Sequence, residues 1–274
     1  MKKALLSFGP LSVACMRTAG GAALIWLILM IQRKKILFSK KLTFQLLLIA
    51  STSSIIPFMI QPYLIQDYGS GFIGMMVGMV PICTIVWSKL LYDVKVTKVE
   101  FLGVCIGLMC LVGIFSDGLN RSLTLSHFFL ALCVPLGYAF TNTYIRHRLS
   151  HVGAIELTFS KLSIATVVLL PISVSTEQVD VNIYFNLAIF SAILLGCFGT
   201  GLAGYLFYKM IKMKGALFAG LVTYIIPIYA IFFGWLDGEK VTHMQLISIL
   251  GIIVSVFLIQ LHDFFINKNH NVHN

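Results

Sequence analysis

Residues 69–81, GSGFIGMMVGMVP, return 146 positions later as residues 215–227, GALFAGLVTYIIP. Gly69 pairs with Gly215, Gly74 with Gly220 and Pro81 with Pro227. Working outward, residues 9–24 (GPLSVACMRTAGGAAL) match residues 153–168 (GAIELTFSKLSIATVV), with Arg17 opposite Lys161, and Gly107 falls opposite Gly251. The shift stays between 144 and 146 and the order is preserved. Matches in register at one shift mark an internal duplication rather than chance likeness between apolar stretches.

Both copies are too apolar for water. Mean hydropathy is +0.93 and charged residues make up 11%, against about 25% in soluble domains. Apolar runs of membrane-spanning length recur from end to end, and the alternating pattern of an outer-membrane barrel is missing, so helices are the spanning solution. Nine spans are predicted, near 11–31, 43–65, 71–91, 100–116, 125–145, 153–175, 184–208, 216–236 and 243–262. The short connections leave no room for a separate soluble domain.

The basic residues set the orientation. One set of alternate loops holds Arg33, Lys34, Lys35, Lys40, Lys41, Lys89, Lys95, Lys98, Arg146, Arg148, Lys209, Lys212 and Lys214, and the C-terminal tail adds Lys268. The other loops hold Arg121 and Lys240 beside the acidic Glu177 and Asp180. The first set is therefore cytoplasmic, with the C-terminus inside. Span 71–91 then runs inward while its repeat partner 216–236 runs outward. Inverted halves are the signature of secondary transporters, in which two repeats rock about a site near the bilayer midplane. The fold class expected is an all-α integral membrane protein with two inverted-topology repeats, four helices plus five. The first repeat covers 1–119, the second 120–262, and a cytoplasmic tail 263–274. The second repeat has one span more than the first, and Lys2 and Lys3 fall on the side that the charge rule disfavours. A first helix lacking from this form, encoded upstream or lost, would account for both.

The formal charge of +10 is spread over these loops, so topology explains it and nucleic acid is not an expected partner. Cys15, Cys83, Cys105, Cys110, Cys133 and Cys197 all lie in apolar segments without CxxC or Cys/His spacing, which gives neither a disulfide framework nor a zinc site. An intramembrane enzyme acting on lipid-linked substrates would need clustered acids, or His or Ser with activating partners. The His residues instead sit at interfaces and in the tail, without HExxH. No cofactor, metal or catalytic residue is expected.

Residues 196–260 carry a resemblance. Gly196 and Gly199 precede the aromatic stretch of Tyr205 and Tyr208, a helix with Pro227 and Ala230 follows, and then comes a short Gly238-Glu239 loop reaching Thr242. This order resembles the C-terminal half of EamA-type members of the drug/metabolite transporter superfamily. Pro10-Leu11-Ser12 with Arg17, and Pro81, fit the first half, where Tyr92-Asp93-Val94 stands in place of the Gly-Glu loop. The resemblance implies a ten-helix bundle of two inverted five-helix repeats that exports amino acids or other small metabolites from the cytoplasm. This chain departs from it by lacking the first helix. A truncated, non-transporting subunit is the alternative that this departure suggests.

Intramembrane charges are expensive and mark candidate sites. Arg17 and Lys161 each lie a turn or two inside their spans, on opposite sides of the membrane. They are candidate contacts for a substrate's charge, with snorkelling to the nearer interface as the alternative. Tyr138 and Asn142, four residues apart, should share one face of span 125–145, with Thr141 beside them. Gln61 on span 43–65, and Tyr224 with Pro227 on span 216–236, complete the predicted cavity lining. Ser51, Ser53, Ser54 and Pro57 read instead as interhelical or backbone partners. Gly71, Gly74, Gly78 and Pro81 on one face, and the Gly103–Gly107 pair, read as close-packing positions. No Asp or Glu sits at mid-span, Glu156 being the deepest, so a carboxylate proton relay has little support. The expected partners are a small-molecule substrate, the lipid bilayer and, as a candidate, a second copy in a homodimer.

Overall fold

The computed structural model describes residues 3–33, 40–115, 124–178, 183–226, 229 and 243–272. Among them every regular element is a helix. A short 3-10 turn, Ala4–Leu6, leads into α1 (Pro10–Ile31). Then come α2 (Lys40–Ala50), α3 (Ile56–Gly78), α4 (Val80–Tyr92), α5 (Lys98–Phe115) and α6 (Leu125–Arg148). The second part holds α7 (Ala154–Thr176), α8 (Phe185–Gly196), α9 (Ala203–Lys214), α10 (Ala216–Leu221) and α11 (His243–Val272). Among the described residues, five helical stretches are long and apolar enough to cross a bilayer: Pro10–Ile31, Lys41–Tyr68, Leu125–Arg148, Ala154–Thr176 and Phe185–Lys214. Met76–Tyr92 and Leu246–Ile259 are shorter apolar helices.

Two helices pass through a π turn, Ser51–Ile55 between α2 and α3 and Cys197–Leu202 between α8 and α9. Pro57 follows the first and has no N–H to return to the carbonyl four residues back, so the backbone opens there. Hydroxyls take up freed carbonyls: Ser53 Oγ donates to Ile49 O at 2.6 Å, and Thr200 Oγ1 donates to Leu195 O at 3.0 Å.

The predicted spans and the helices differ at three places. The chain does not break at residues 66–70. The helix runs on through Gly78 and turns at Met79, just before Pro81. Gly69, Ser70 and Gly71 look like a loop, yet they lie within α3. Span 184–208 likewise continues to Lys214, and α11 runs on through Val272, so residues 263–272 extend the last helix. For the predicted span 216–236, residues 227–228 and 230–236 lie outside the described residues, as does the boundary at 119–120.

The helix ends are tied by specific groups. The Glu177 carboxylate, just past α7, accepts from Leu11 N at 2.8 Å and Ser12 N at 2.7 Å, capping the free N-terminus of α1 from across the fold. Thr97 and Glu100 form a capping box on α5, with Thr97 N donating to Glu100 Oε2 at 2.7 Å and Glu100 N to Thr97 Oγ1 at 3.2 Å. At the end of α4, Asp93 adopts a left-handed φ of 48° and pairs with Lys89, whose ammonium holds the exposed Asp93 carboxyl below its usual range.

In the packing, α1 lies along α7, α5 along α11, and α4 against α10. The first two pairs match one another at a shift of 144 residues, whereas α10 matches residues 70–75, within α3. The second π turn seats on α1 through glycine: a Cβ at Gly201 would stand 2.8 Å from Gly21 O, and one at Gly196 would stand 3.0 Å from Met16 O. Backbone therefore meets backbone at this crossing, which only glycine permits.

Candidate functional site

A cavity of about 410 Å³ opens between α1, α3, α6, α7, the second π turn and the start of α9. Arg17 enters it from α1 and Lys161 from α7, and both are buried, at 8% and 6% exposure. Neither snorkels to an interface. Arg17 Nε donates to Thr200 Oγ1 at 3.3 Å and its Nη1 to Gln61 Oε1 at 3.3 Å. The guanidinium lies 4.0 Å from the centre of the Phe58 ring, a cation–π contact strengthened by the dry setting. Gln61 Nε2 in turn donates to the Tyr138 hydroxyl at 2.8 Å. On the other side Lys161 Nζ donates to Ser53 Oγ at 3.4 Å and to the Tyr208 hydroxyl, and the ammonium stands 4.7 Å from the Tyr208 ring centre.

The two cation sites are built alike. Thr200 lies 147 positions after Ser53, and Tyr208 lies 147 after Gln61. Arg17 is thus held by the second π turn and by Gln61, while Lys161 is held by the first π turn and by the counterpart of Gln61. Each cation reaches one hydroxyl in the opposite half of the chain and one polar group in its own. All four partners are neutral, and no Asp or Glu occurs among the described residues that line the cavity.

The sequence pattern of the EamA-like transporter family matches residues 1–116 and 125–261. The chain belongs to the EamA-like transporter family. It is a family of transporters rather than of enzymes, and its members are multi-pass membrane proteins. The uncharacterized transporter YoaV of Bacillus subtilis is 26% identical over 262 residues, covering 94% of this chain and 89% of that protein. The uncharacterized inner membrane transporter YedA of Escherichia coli is 25% identical over 198 residues, covering 72% and 63%. Protein PagO of Salmonella typhimurium is 23% identical over 263 residues, covering 94% and 86%. One protein crystal structure superposes on 92% of this chain and 87% of its own with a TM-score of 0.77 at 14% identity, a likeness of fold alone.

Of the predicted residues, this EamA-like fold brings Arg17, Gln61, Tyr138, Asn142 and Lys161 to one cavity. Asn142 is 2% exposed, and its Nδ2 has no hydrogen-bond partner among the described residues. Thr141 is placed elsewhere: its hydroxyl shares a 2.7 Å bond with Thr52 and joins α6 to the first π turn. Tyr224 is fully buried on the far side of its helix, where its hydroxyl donates to Val104 O at 3.0 Å and its ring packs over Gly107. Its neighbour Thr223, in the short 3-10 turn Val222–Tyr224, faces the cavity instead. Pro227 lies outside the described residues.

Sequence reasoning passed over Ser53, Phe58, Thr200, Phe207 and Tyr208 as lining. The duplication held the missing signal. Extending the Arg17–Lys161 match along the next helices pairs Ser53 with Thr200 and Gln61 with Tyr208, once the shift grows to 147. The second π turn has six residues and the first has five, so a fixed shift loses register there.

Proposed function

We propose that this EamA-like protein is a secondary transporter that exports small metabolites or amino acids across the cytoplasmic membrane by alternating access. One observation carries the proposal: within the cavity, Arg17 bonds Thr200 and Lys161 bonds Ser53, so each cation ties a helix of one half to the π turn of the other. If the halves rock, these are the bonds that lengthen. A polar group in a dry site cannot be left unpaired cheaply, so a substrate that offers replacement partners lowers the barrier to rearrangement. The pairing of α1 with α7 and of α5 with α11, each with its counterpart across the duplication, supports two inverted halves related by an axis between them. The glycine crossing of α1 on the second π turn gives a smooth face along which small shifts proceed. The basic loops favour a cytoplasmic C-terminus, and the inner-membrane name of YedA agrees with a cell-membrane location.

The test is efflux. Cells that overproduce the protein are compared with cells that overproduce the Arg17→Ala, Lys161→Ala double variant at equal membrane level, and metabolites in the medium are profiled. At least one small metabolite should accumulate outside only with the unaltered protein. Identical profiles would remove export as the function.

A further inference from the structure

Two basic side chains, Arg17 and Lys161, stand in this cavity, and no Asp or Glu occurs among its described lining residues. Described carboxylates lie elsewhere: Glu177 caps α1, Glu100 closes the box on α5, Asp93 pairs with Lys89, and Glu156, in the first turn of α7, does not line the cavity. Around Arg17 and Lys161 the polar groups are the side chains of Thr200, Gln61, Ser53 and Tyr208, all neutral. Burying a cation with only neutral partners is unfavourable, and burying two in one cavity adds their mutual repulsion. A structural role would be served better by Leu or Met. The arrangement makes physical sense if the missing negative charge arrives with the cargo.

A second observation is independent of charge. The Asn142 Nδ2 is buried, faces the cavity and has no partner among the described residues. A buried amide donor without a protein acceptor is rare and leaves a hydrogen bond for whatever occupies the cavity. The Tyr138 hydroxyl accepts from Gln61, which leaves its own proton for an acceptor in the cavity. Apart from Thr223, the remaining wall is apolar, with Phe58, Ile73, Val77, Val80, Phe207 and Ile226 as its large side chains.

Resting on the transport reading of the same cavity, we infer that the cargo is a small organic anion with a carboxylate or phosphate head and an apolar body. The head lies between Arg17 and Lys161 with Asn142 as a neutral donor, and the body lies against the phenylalanine-lined wall. An ammonium group finds two cations there and no acid to meet it, so cationic compounds are rejected and zwitterions bind poorly.

The test uses probes of equal length and different charge. Purified protein in lipid nanodiscs, at fixed ionic strength, is titrated with glutarate, pentanoate, propyl phosphate, norvaline and cadaverine while its thermal midpoint is followed. The anions should raise the midpoint, and norvaline and cadaverine should not. Whether pentanoate or propyl phosphate binds better tells a carboxylate cargo from a phosphate one. Arg17→Gln and Lys161→Gln should each weaken anion binding on the order of tenfold or more, with Arg17→Lys and Lys161→Arg recovering much of it. Stabilisation by norvaline or cadaverine equal to that by the anions overturns the inference. So does the absence of any anion effect, or an anion effect that survives in both glutamine variants. The wild-type series stands even if a variant fails to fold. Counterflow of the best probe in proteoliposomes separates the two proposals. Binding without flux removes transport and leaves the anion site, whereas flux of norvaline or cadaverine leaves transport and removes the anion site.

Discussion

Gln61→Glu is the sharpest single perturbation of this cavity. The side chain keeps its shape, and its Oε1 already accepts from Arg17 Nη1 at 3.3 Å. The change turns a neutral acceptor into a carboxylate, and so builds into the protein the counter-charge that the cavity lacks. A hydrogen bond to a charged group is worth about 0.5–1.5 kcal/mol more when its partner is also charged. The lost Gln61 Nε2 donation to Tyr138, 2.8 Å long, is recovered when the phenol turns its own proton toward the new carboxylate. Desolvation of the added carboxylate opposes these gains, but the uncompensated Arg17 has already met half of the burial cost of an ion pair. The net expectation is stabilisation by about 1–2 kcal/mol, together with loss of anion affinity on the order of tenfold to a hundredfold, because the new carboxylate occupies the place of the cargo's head. Thermal unfolding and glutarate titration of the same nanodisc sample measure both effects. A Gln61→Glu protein that is less stable than its parent and still binds glutarate normally would refute the uncompensated-charge argument.

Gly201→Ala should destabilise by about 1–3 kcal/mol, since its Cβ meets the Gly21 backbone at 2.8 Å and neither strand of that contact is a flexible side-chain end. Gly204→Ala, whose Cβ meets only Thr158 Cγ2 at 3.6 Å, should be neutral or stabilising by up to about 1 kcal/mol, and unfolding midpoints compare the two. Glu177→Gln removes the negative charge that caps α1 and should cost about 0.5–2 kcal/mol by the same assay, with no change in anion selectivity. Tyr224→Phe loses one bond to Val104 O, worth about 1 kcal/mol, whereas Tyr138→Phe should weaken cargo binding; equal effects of the two on anion titration would contradict their placement. A C-terminal fluorescent-protein fusion should glow and an alkaline-phosphatase fusion should stay inactive, as a cytoplasmic C-terminus requires.

Much of this fold is legible in the sequence because the bilayer makes few demands and enforces them strictly. Apolar length marks the spans, and the expense of Arg17 and Lys161 marks the cavity. What stayed hidden has local causes. The glycines at 69 and 71 imitate a loop although the helix runs through them to Gly78. Tyr224 turns to the packed interior and its neighbour Thr223 to the cavity, a choice of face that composition does not reveal. Thr141 lies on the same helix as Tyr138 and Asn142, yet its hydroxyl is spent on Thr52. Ser53 and Thr200 are ordinary hydroxyls whose importance comes from the cation each one meets, and no single position in the sequence announces that. Only the duplication could have pointed to them, through a register that slips by a residue at the π turns.

That slip has a further consequence. On the proposed alternating-access reading, perfect copies would make the protein a palindrome whose two open forms differ only by which side of the membrane they face. Here a guanidinium latched by an amide and a threonine answers an ammonium latched by a phenol and a serine. The two doors therefore carry different locks. On that reading, with no gradient present, the unequal strength of those locks sets the balance between inward- and outward-open forms, and exchanging Arg17 with Lys161 should tilt the resting balance toward the other side.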